Sequence, residues 1–465
     1  IAFYFWVDSS VVHQNIDAPK LVDRTLDHPL YLVAPADIRA EVQCLAAQLA
    51  DKGHSRVACE HVGHHDVCSF TGQRNRTRLA NPARGSCHDG NLVGQIGTTA
   101  RLHDLAPSQC VARCLTEHRW NGIVSATMNP NDIEHKLRTY RRACRRGTDW
   151  LLQAVNPDGS IGPVQDRLYY YRVSWAFAAM GEITAACRLV DWISRHTFSP
   201  KGAFEGTSPL GEFENRYGSY PLACLLVGAT MLQRVDIVYR GTQHLLTWQD
   251  PAFGGFYNNR RDQTASGEQE LFPTCQGGMT LLLVGQVQAA RKAGMWVKRL
   301  WELQPDADRK LYVVQSAAAG LVTDYPPDQE ALYVTKKDDP WQHHFNGGIA
   351  AAFLTQLFLA TGETDWLDLA RQYQEFSITT DECQFRSMQL CKSGWGSGLL
   401  YVATRELRYR EWTVRIGDWF AQHQLEDGHW ENTKFWSPQP TLADNIEITA
   451  EFVMHLTNII AYLSV

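Results

Sequence analysis

The feature that most constrains this chain is a turn that comes back along it. Trp150-Leu-Leu-Gln153 is followed by Asp158-Gly159, and Trp419-Phe-Ala-Gln422 by Asp427-Gly428, at identical spacing. Weaker copies join Trp192 to Gly202 and Phe204, and Leu245-Leu246 to Gly254-Gly255-Phe256. Each copy ends an amphipathic helix at a Gly, the usual stop signal, with an apolar or aromatic residue beside it. A repeated unit of this size cannot bury its apolar face alone, so its copies must pack on one another.

Between the turns the pattern predicts helices rich in small apolar residues at about 171–181, 218–231, 274–284, 345–361, 394–405 and 443–463. The first five run into helices with one apolar stripe, at about 183–196, 233–248, 286–303, 363–378 and 408–424, and another such helix covers about 135–155. A helix apolar on most of its circumference is buried, and one with a single stripe faces water on the other side. Six hairpins of this kind close most simply into a ring, with six inner and six outer helices. Inner-to-outer connections are short, as at Gly181-Glu182 and Gly362-Glu363. Outer-to-inner connections are long, about 156–170, 197–217, 249–273, 304–343, 379–393 and 425–442. All long loops therefore share one mouth, at the N-termini of the inner helices, where unpaired N–H groups and positive dipole ends converge.

These hairpins and their Gln-x4-Asp-Gly turns resemble the α,α-toroid superfamily, over about 330 residues. The resemblance implies an all-α, (α/α)6 toroid for residues 131–465. It says little of chemistry, because unrelated reactions share the fold. The aspartate-rich acid motif of squalene-hopene cyclases is absent, Gly267-Glu268-Gln269 lacks the preceding Cys of a thioester, and neither a diphosphate-binding aspartate cluster nor the prenyltransferase zinc pattern occurs.

The chain has 465 residues, with 44 Lys+Arg against 50 Asp+Glu, so its formal charge is 44 − 50 = −6. With 44% hydrophobic and 20% charged residues it has globular composition, and no Lys/Arg block offers a footprint for nucleic acid or an anionic membrane. The apolar stretches, such as Met279 to Val284, fall far short of the roughly 18 residues that span a bilayer. Six of the 12 cysteines (Cys44, Cys59, Cys68, Cys87, Cys110, Cys114) lie in loop-like sequence in the first 114 residues, which reads as a disulfide framework of a secretory compartment. An opening Ile1 without initiator Met fits a removed signal peptide, or merely a shortened sequence. Residues 1–130 are thus expected to form a cysteine-rich segment packed on the barrel. Its Asn75-Arg76-Thr77 is a candidate glycosylation site. Cys59-Glu60-His61, His64-His65-Asp66 and Cys68 match no familiar zinc spacing and read better as a disulfide-bonded loop. Cys383 and Cys391 bracket a short segment and are expected to pair. Cys144, Cys187, Cys224 and Cys275, in apolar helical runs, are expected to be free thiols.

The ends of the long loops and the first turns of the inner helices hold an aromatic set. It comprises Tyr169, Tyr170, Tyr171, Trp175, Tyr217, Tyr220, Phe272, Trp341, Trp395 and Trp436, with Asn346 among them. Such rings stack on flat or ring-shaped ligands. Arg216, Lys392, His343, His344 and Tyr170 are the candidate catalytic groups, as donors to a bound oxygen near helix N-termini. The mouth carboxylates are Asp166, Glu212, Glu214, Glu268, Glu270, Asp444 and Glu447, of which Asp444 and Glu447 also suit the cap and first turn of the last helix.

Two enzymatic readings follow. The cysteine-rich, sequon-bearing start on a barrel is similar to the fungal hetero-Diels–Alderases of tropolone-sesquiterpenoid biosynthesis. That resemblance implies a secreted, cofactor-free pericyclase that joins a quinone-methide-type diene to a terpene, by orientation worth roughly 7–11 kcal/mol. The alternative is a carbohydrate-active glycosidase, lyase or epimerase using paired carboxylates. A glycan or terpenoid binder without activity is a third reading. No metal or organic cofactor is expected, and the partners expected are small organic molecules, with neither nucleic acid nor membrane.

Overall fold

The computed structural model describes residues 31–32, 57–60, 67–70, 130–163, 171–205, 207–208, 211–212, 217–431 and 439–465. The chain divides into two compact units, one of Val7–Val124 and one that includes Ser125–Val465. In the first, β1 (Tyr31–Leu32) pairs in parallel with β2 (Val57–Glu60), which pairs antiparallel with β3 (Val67–Phe70) and sets Cys59 opposite Cys68. The sequon at Asn75 and the other cysteines of this segment lie outside the described residues.

The second unit is built from twelve helices of seven residues or more among the described residues. They are α1 (Pro130–Gln153), α2 (Val173–Ala179), α3 (Ile183–His196), α4 (Ser219–Met231), α5 (Val235–Leu246) and α6 (Leu271–Leu283), followed by α7 (Val287–Glu302), α8 (Phe345–Thr361), α9 (Thr364–Ile378), α10 (Cys391–Thr404), α11 (Leu407–Gln422) and α12 (Leu442–Leu463). The helices α2, α4, α6, α8, α10 and α12 each pack on the next, and α12 packs back on α2, which closes an inner ring. Each is backed by its outer partner, α1 serving α12.

The division follows composition. In α8 nearly every residue from Phe345 to Leu357 is buried, whereas α3 buries the stripe Ala186, Leu189, Val190 and Ile193 at helical spacing, together with Trp192. The last inner helix, α12, is long and apolar enough to cross a membrane, at mean hydropathy 1.2, although charged residues break its apolar run, contrary to the expectation that no stretch has that length. Two-thirds of that stretch (67%) is buried inside the protein, so its apolar surface is spent on the ring.

The repeat turn is where neighbouring hairpins lock. Gly159, Gly202, Gly254 and Gly428 have φ of +93°, +85°, +88° and +107°. A Cβ on any of them would stand 2.1–2.8 Å from a backbone carbonyl oxygen of the next outer helix: Arg188, Arg240, Lys292 and, closing the circle, Arg146. Two residues later Ile161, Phe204, Phe256 and Trp430 are buried. Gln249 and Gln424 donate both to their own turn, at Gly254 O and Gly428 O, and to the next outer helix, at Ala289 O and Ala143 O.

The long loops carry β structure that helix periodicity cannot announce. Lys310–Tyr312 pairs antiparallel with Val334–Lys336. Gln269–Glu270, Val314–Ser316 and Gly320–Leu321 form a second small sheet at the entry to α6.

Candidate functional site

At the mouth end of the inner ring, the N-termini of α2 and α10 and the first half of α12 bring four ionic side chains together among the described residues. Arg172, the residue before α2, contacts Glu447 through Nη1, and the same nitrogen lies 3.0 Å from Glu451 Oε2. Its Nη2 donates to Tyr220 Oη at 2.8 Å, and its guanidinium lies over the rings of Tyr171 and Tyr220. Tyr171 donates to Glu447 Oε1 at 2.9 Å. Lys392 Nζ donates to Glu451 Oε1 at 2.7 Å and lies 4.4 Å from the centre of the Phe345 ring. His455 Nε2, one turn beyond Glu451, is 3.4 Å from the same oxygen. The side chains of Arg172, Lys392 and Glu451 are 5–6% exposed, and Glu447, nearest the opening, is 15% exposed.

Burial pushes the Glu451 carboxyl up, but Arg172 and Lys392 outweigh it and hold the group well below the usual carboxylate range. Burial works to discharge Lys392, yet Cys391 and Glu451 beside it keep its ammonium protonated to higher pH than usual. Burial lowers His455 to about 4 despite its contact with Glu451, so its imidazole is neutral near pH 7. Burial, reinforced by Glu451, pushes the Cys391 thiol up to about 12.

Rings form the rest of the wall. Phe272 on α6 meets Tyr217 (5.1 Å), Tyr220 (5.0 Å) and Phe345 (5.6 Å) between ring centres. Trp175 and Trp395 meet edge to face, and Trp395 Nε1 donates to Tyr462 Oη. Tyr217 adopts a left-handed backbone, φ 61°, at the lip of α4.

Cys391 Sγ, a Glu451 oxygen and a His455 nitrogen all lie within 4.8 Å of one another. That set does not suit a divalent cation, because both Glu451 oxygens already face Lys392 and Arg172. A separate surface depression of about 520 Å³ opens among Asp306, Arg309, Lys310, Lys336, Asp338, Asp339 and Pro340, and no residue of the aromatic wall lines it.

Against the sequence expectations, Tyr171, Trp175, Tyr217, Tyr220, Phe272 and Trp395 do gather here. Lys392 is present but not as a donor awaiting a ligand, since its ammonium is committed to Glu451. His343 stacks on Phe345 at 4.8 Å behind the wall. His344 turns away, its Nε2 against the Asp339 carbonyl at 2.9 Å. Asn346 is tied to Thr335 by its amide, and Trp341 is 40% exposed on the Asp339 turn. Tyr169, Tyr170, Arg216 and Trp436 lie outside the described residues, as do Asp166 and Glu214. Asp444 is a cap, making a reciprocal capping box with Thr441, whereas Glu447 faces the site. Glu268 accepts from Tyr333 Oη, 3.0 Å from Oε1. Cys383 and Cys391 are free thiols: Cys391 opens α10 facing Glu451, and Cys383 faces the Lys337 carbonyl. Cys144, Cys187, Cys224 and Cys275 are free as expected.

Sequence reasoning passed over Arg172, Glu451 and His455. A signal was available: Glu447, Glu451 and His455 recur every fourth residue on one face of a mainly apolar helix, and a charge on a buried face demands a partner.

A closed inner ring backed by outer helices has clear counterparts among solved structures. D-mannose isomerase aligns with a TM-score of 0.52 at 14% identity, covering 72% of this chain and 98% of that one. The fold is the (α/α)6 toroid. A GH76 α-mannanase from Bacteroides thetaiotaomicron (TM-score 0.49, 12% identity, 70% of this chain and 98% of that one) and a type II terpene cyclase from Scytonema (TM-score 0.45, 12% identity, 70% and 99%) are similar at a lower level. No family model and no curated protein matches the chain. At such identity the toroid likeness concerns the backbone, and the chemistry rests on the side chains at the mouth.

Proposed function

We propose that this protein is an acid–base enzyme acting on a small, oxygen-rich, sugar-like substrate, with Glu447 moving a proton and Arg172 steadying the oxyanion that forms. The observation that carries this reading is the bridging of Glu447 and Glu451 by the single Arg172 guanidinium in a nearly closed site. Burying ions costs several kcal/mol each, and an apolar replacement of equal volume is often more stable. A site that only oriented two apolar reactants would not need them.

In this reading Glu447, the most accessible of the four, removes a proton from the carbon next to a carbonyl. The C–H electron pair forms the C=C bond of an enediolate as the carbonyl π pair moves onto oxygen, where Arg172 meets the growing negative charge; return of the proton to the same carbon on its other face gives the epimer, and return to the former carbonyl carbon, with the neighbouring hydroxyl proton passing to the former carbonyl oxygen, gives the isomer. Phe272, Tyr217 and Phe345 offer an apolar wall for the C–H face of a ring. Glycoside hydrolysis fits less well within the carbohydrate class, because it needs a carboxylic acid kept protonated and Glu451 is held ionised by two cations.

The same aromatic wall supports a second reading, the intermolecular hetero-Diels–Alder cycloaddition, in which Tyr220 and Arg172 would polarise the heterodiene oxygen. One experiment separates the two. Aldoses, ketoses and uronic acids are incubated with the protein in D2O and followed by proton NMR; deuterium entering at the carbon next to the carbonyl, and lost in Glu447→Gln, is the expected result. No exchange with any sugar, together with a cycloadduct from quinone methide and terpene made equally by Glu447→Gln, would replace the first reading by the second.

A further inference from the structure

Charges at the mouth alternate in a line running outward: Lys392, Glu451, Arg172, Glu447. Each link is a direct contact, with Lys392 Nζ 2.7 Å from Glu451 Oε1, Glu451 Oε2 3.0 Å from Arg172 Nη1, and that nitrogen on Glu447. We propose that Lys392 is a positioning residue which, through Glu451 and Arg172, holds Glu447 ionised and aimed at the mouth. This rests on the reading of Glu447 as the proton-moving group.

The argument is one of charge count. With Lys392 in place, Glu451 is satisfied from the inner side, and Arg172 can give its outer face to Glu447. Without Lys392, one guanidinium serves two buried carboxylates, and a net negative charge left in a buried site favours taking up a proton. Removing the Glu451 charge instead leaves two cations for Glu447 alone. Among the described residues, the other titratable groups facing this line are Tyr171 from the segment before α2, Tyr220 and Cys224 from α4, Cys391 from α10, and His455 on the carboxylates' own helix. Burial keeps the phenols and thiols protonated and the imidazole neutral, so none of them supplies a compensating charge near pH 7. The backbone that carries Lys392 packs closely on α8: Gly348 lets α10 approach at Lys392 and Ser393, where a Cβ would stand 2.4 Å from Lys392 O.

The test is the titration of the Glu447 carboxyl, followed by carbon NMR in protein labelled at glutamate, with Glu447→Gln to assign the signal. Lys392→Met is expected to move its midpoint up by roughly one pH unit, and Glu451→Gln to move it down by a similar amount. Lys392→Arg should leave it near the wild-type value. The acidic limb of the exchange rate should follow the same three shifts. A merely structural lysine would lower stability in Lys392→Met without opposite displacements in the two variants. Shifts of the same sign, or none in either variant, would overturn the proposal. The expected NMR shifts without any sugar exchange would leave the charge line standing and remove the catalytic reading of Glu447.

Discussion

Arg172 and Glu451 join the first inner helix of the toroid to the last, Nη1 to Oε2 at 3.0 Å, across the seam where the ring closes. The pair therefore belongs to the architecture as well as to the site. Breaking a buried ion pair by removing one partner typically costs about 3–5 kcal/mol, because the other charge is left without compensation. Arg172→Met should lower unfolding stability by that amount in guanidinium titrations. Arg172→Met combined with Glu447→Met, Glu451→Leu and Lys392→Met, which leaves no member of the charge line unpaired, should recover much of it, and a single variant within about 1 kcal/mol of wild type would contradict the pairing.

Gly428 closes the outer layer at the same seam. A Cβ there would sit 2.6 Å from Arg146 O on α1, on a backbone already at φ +107°. Gly428→Ala is expected to destabilise by about 2–4 kcal/mol, strain and displacement together. Gly320, at φ +69° with nothing within 4 Å, isolates the first contribution, so Gly320→Ala should cost only about 1–2 kcal/mol. Equal losses in the two variants would show that the contact with α1 contributes nothing.

Acid should loosen the fold early. Burial lowers His344 and His455 from 6.5 to about 4, so both are neutral in the folded chain. Below pH 6.5 the unfolded chain binds protons that the folded chain does not. The stability from keeping them neutral is present above pH 6.5 and lost as pH falls toward 4, by about 2 kcal/mol per histidine at pH 5. Protonation of Glu451 in the unfolded chain extends the loss below pH 4.5. Guanidinium midpoints at pH 7 and pH 5 measure this directly, and His344→Gln should flatten the dependence; an unchanged slope would mean that His344 is not buried neutral.

Cys383 and Cys391 should behave as thiols. Alkylation after unfolding without reductant is expected to label both, along with Cys144, Cys187, Cys224 and Cys275. In the folded protein Cys391, buried and pushed up to about 12, should react far more slowly than half-buried Cys383. A peptide carrying an unlabelled Cys383–Cys391 pair would disprove the free-thiol assignment.

The scaffold was largely legible along the chain. The helix expected at about 345–361 is Phe345–Thr361, and those expected at about 183–196 and 363–378 are Ile183–His196 and Thr364–Ile378. Where the expectation slipped, tertiary contacts moved the boundary: α6 begins at Leu271, three residues early, because Gln269–Glu270 is paired to Val314–Ser316 and holds the entry to the helix. The site was less legible. Its aromatic half was found because rings at helix N-termini stand out one by one. Of its ionic half Lys392 and Glu447 were found but Arg172 and Glu451 were missed, because each charge looks ordinary until its partner, on another helix, is known.

Periodicity and the repeat turn are properties of neighbours along the chain, so the sequence by itself determined the hairpins, their alternation of buried and half-exposed helices, and the shared mouth. Pairing is a property of residues far apart: Arg172 reaches Glu447 and Glu451 only because the ring closes, and Lys392 is spent on Glu451 rather than offered to a ligand for the same reason. Tertiary structure alone decided which charges were compensated, because only closure removes the water that would otherwise have satisfied each of them.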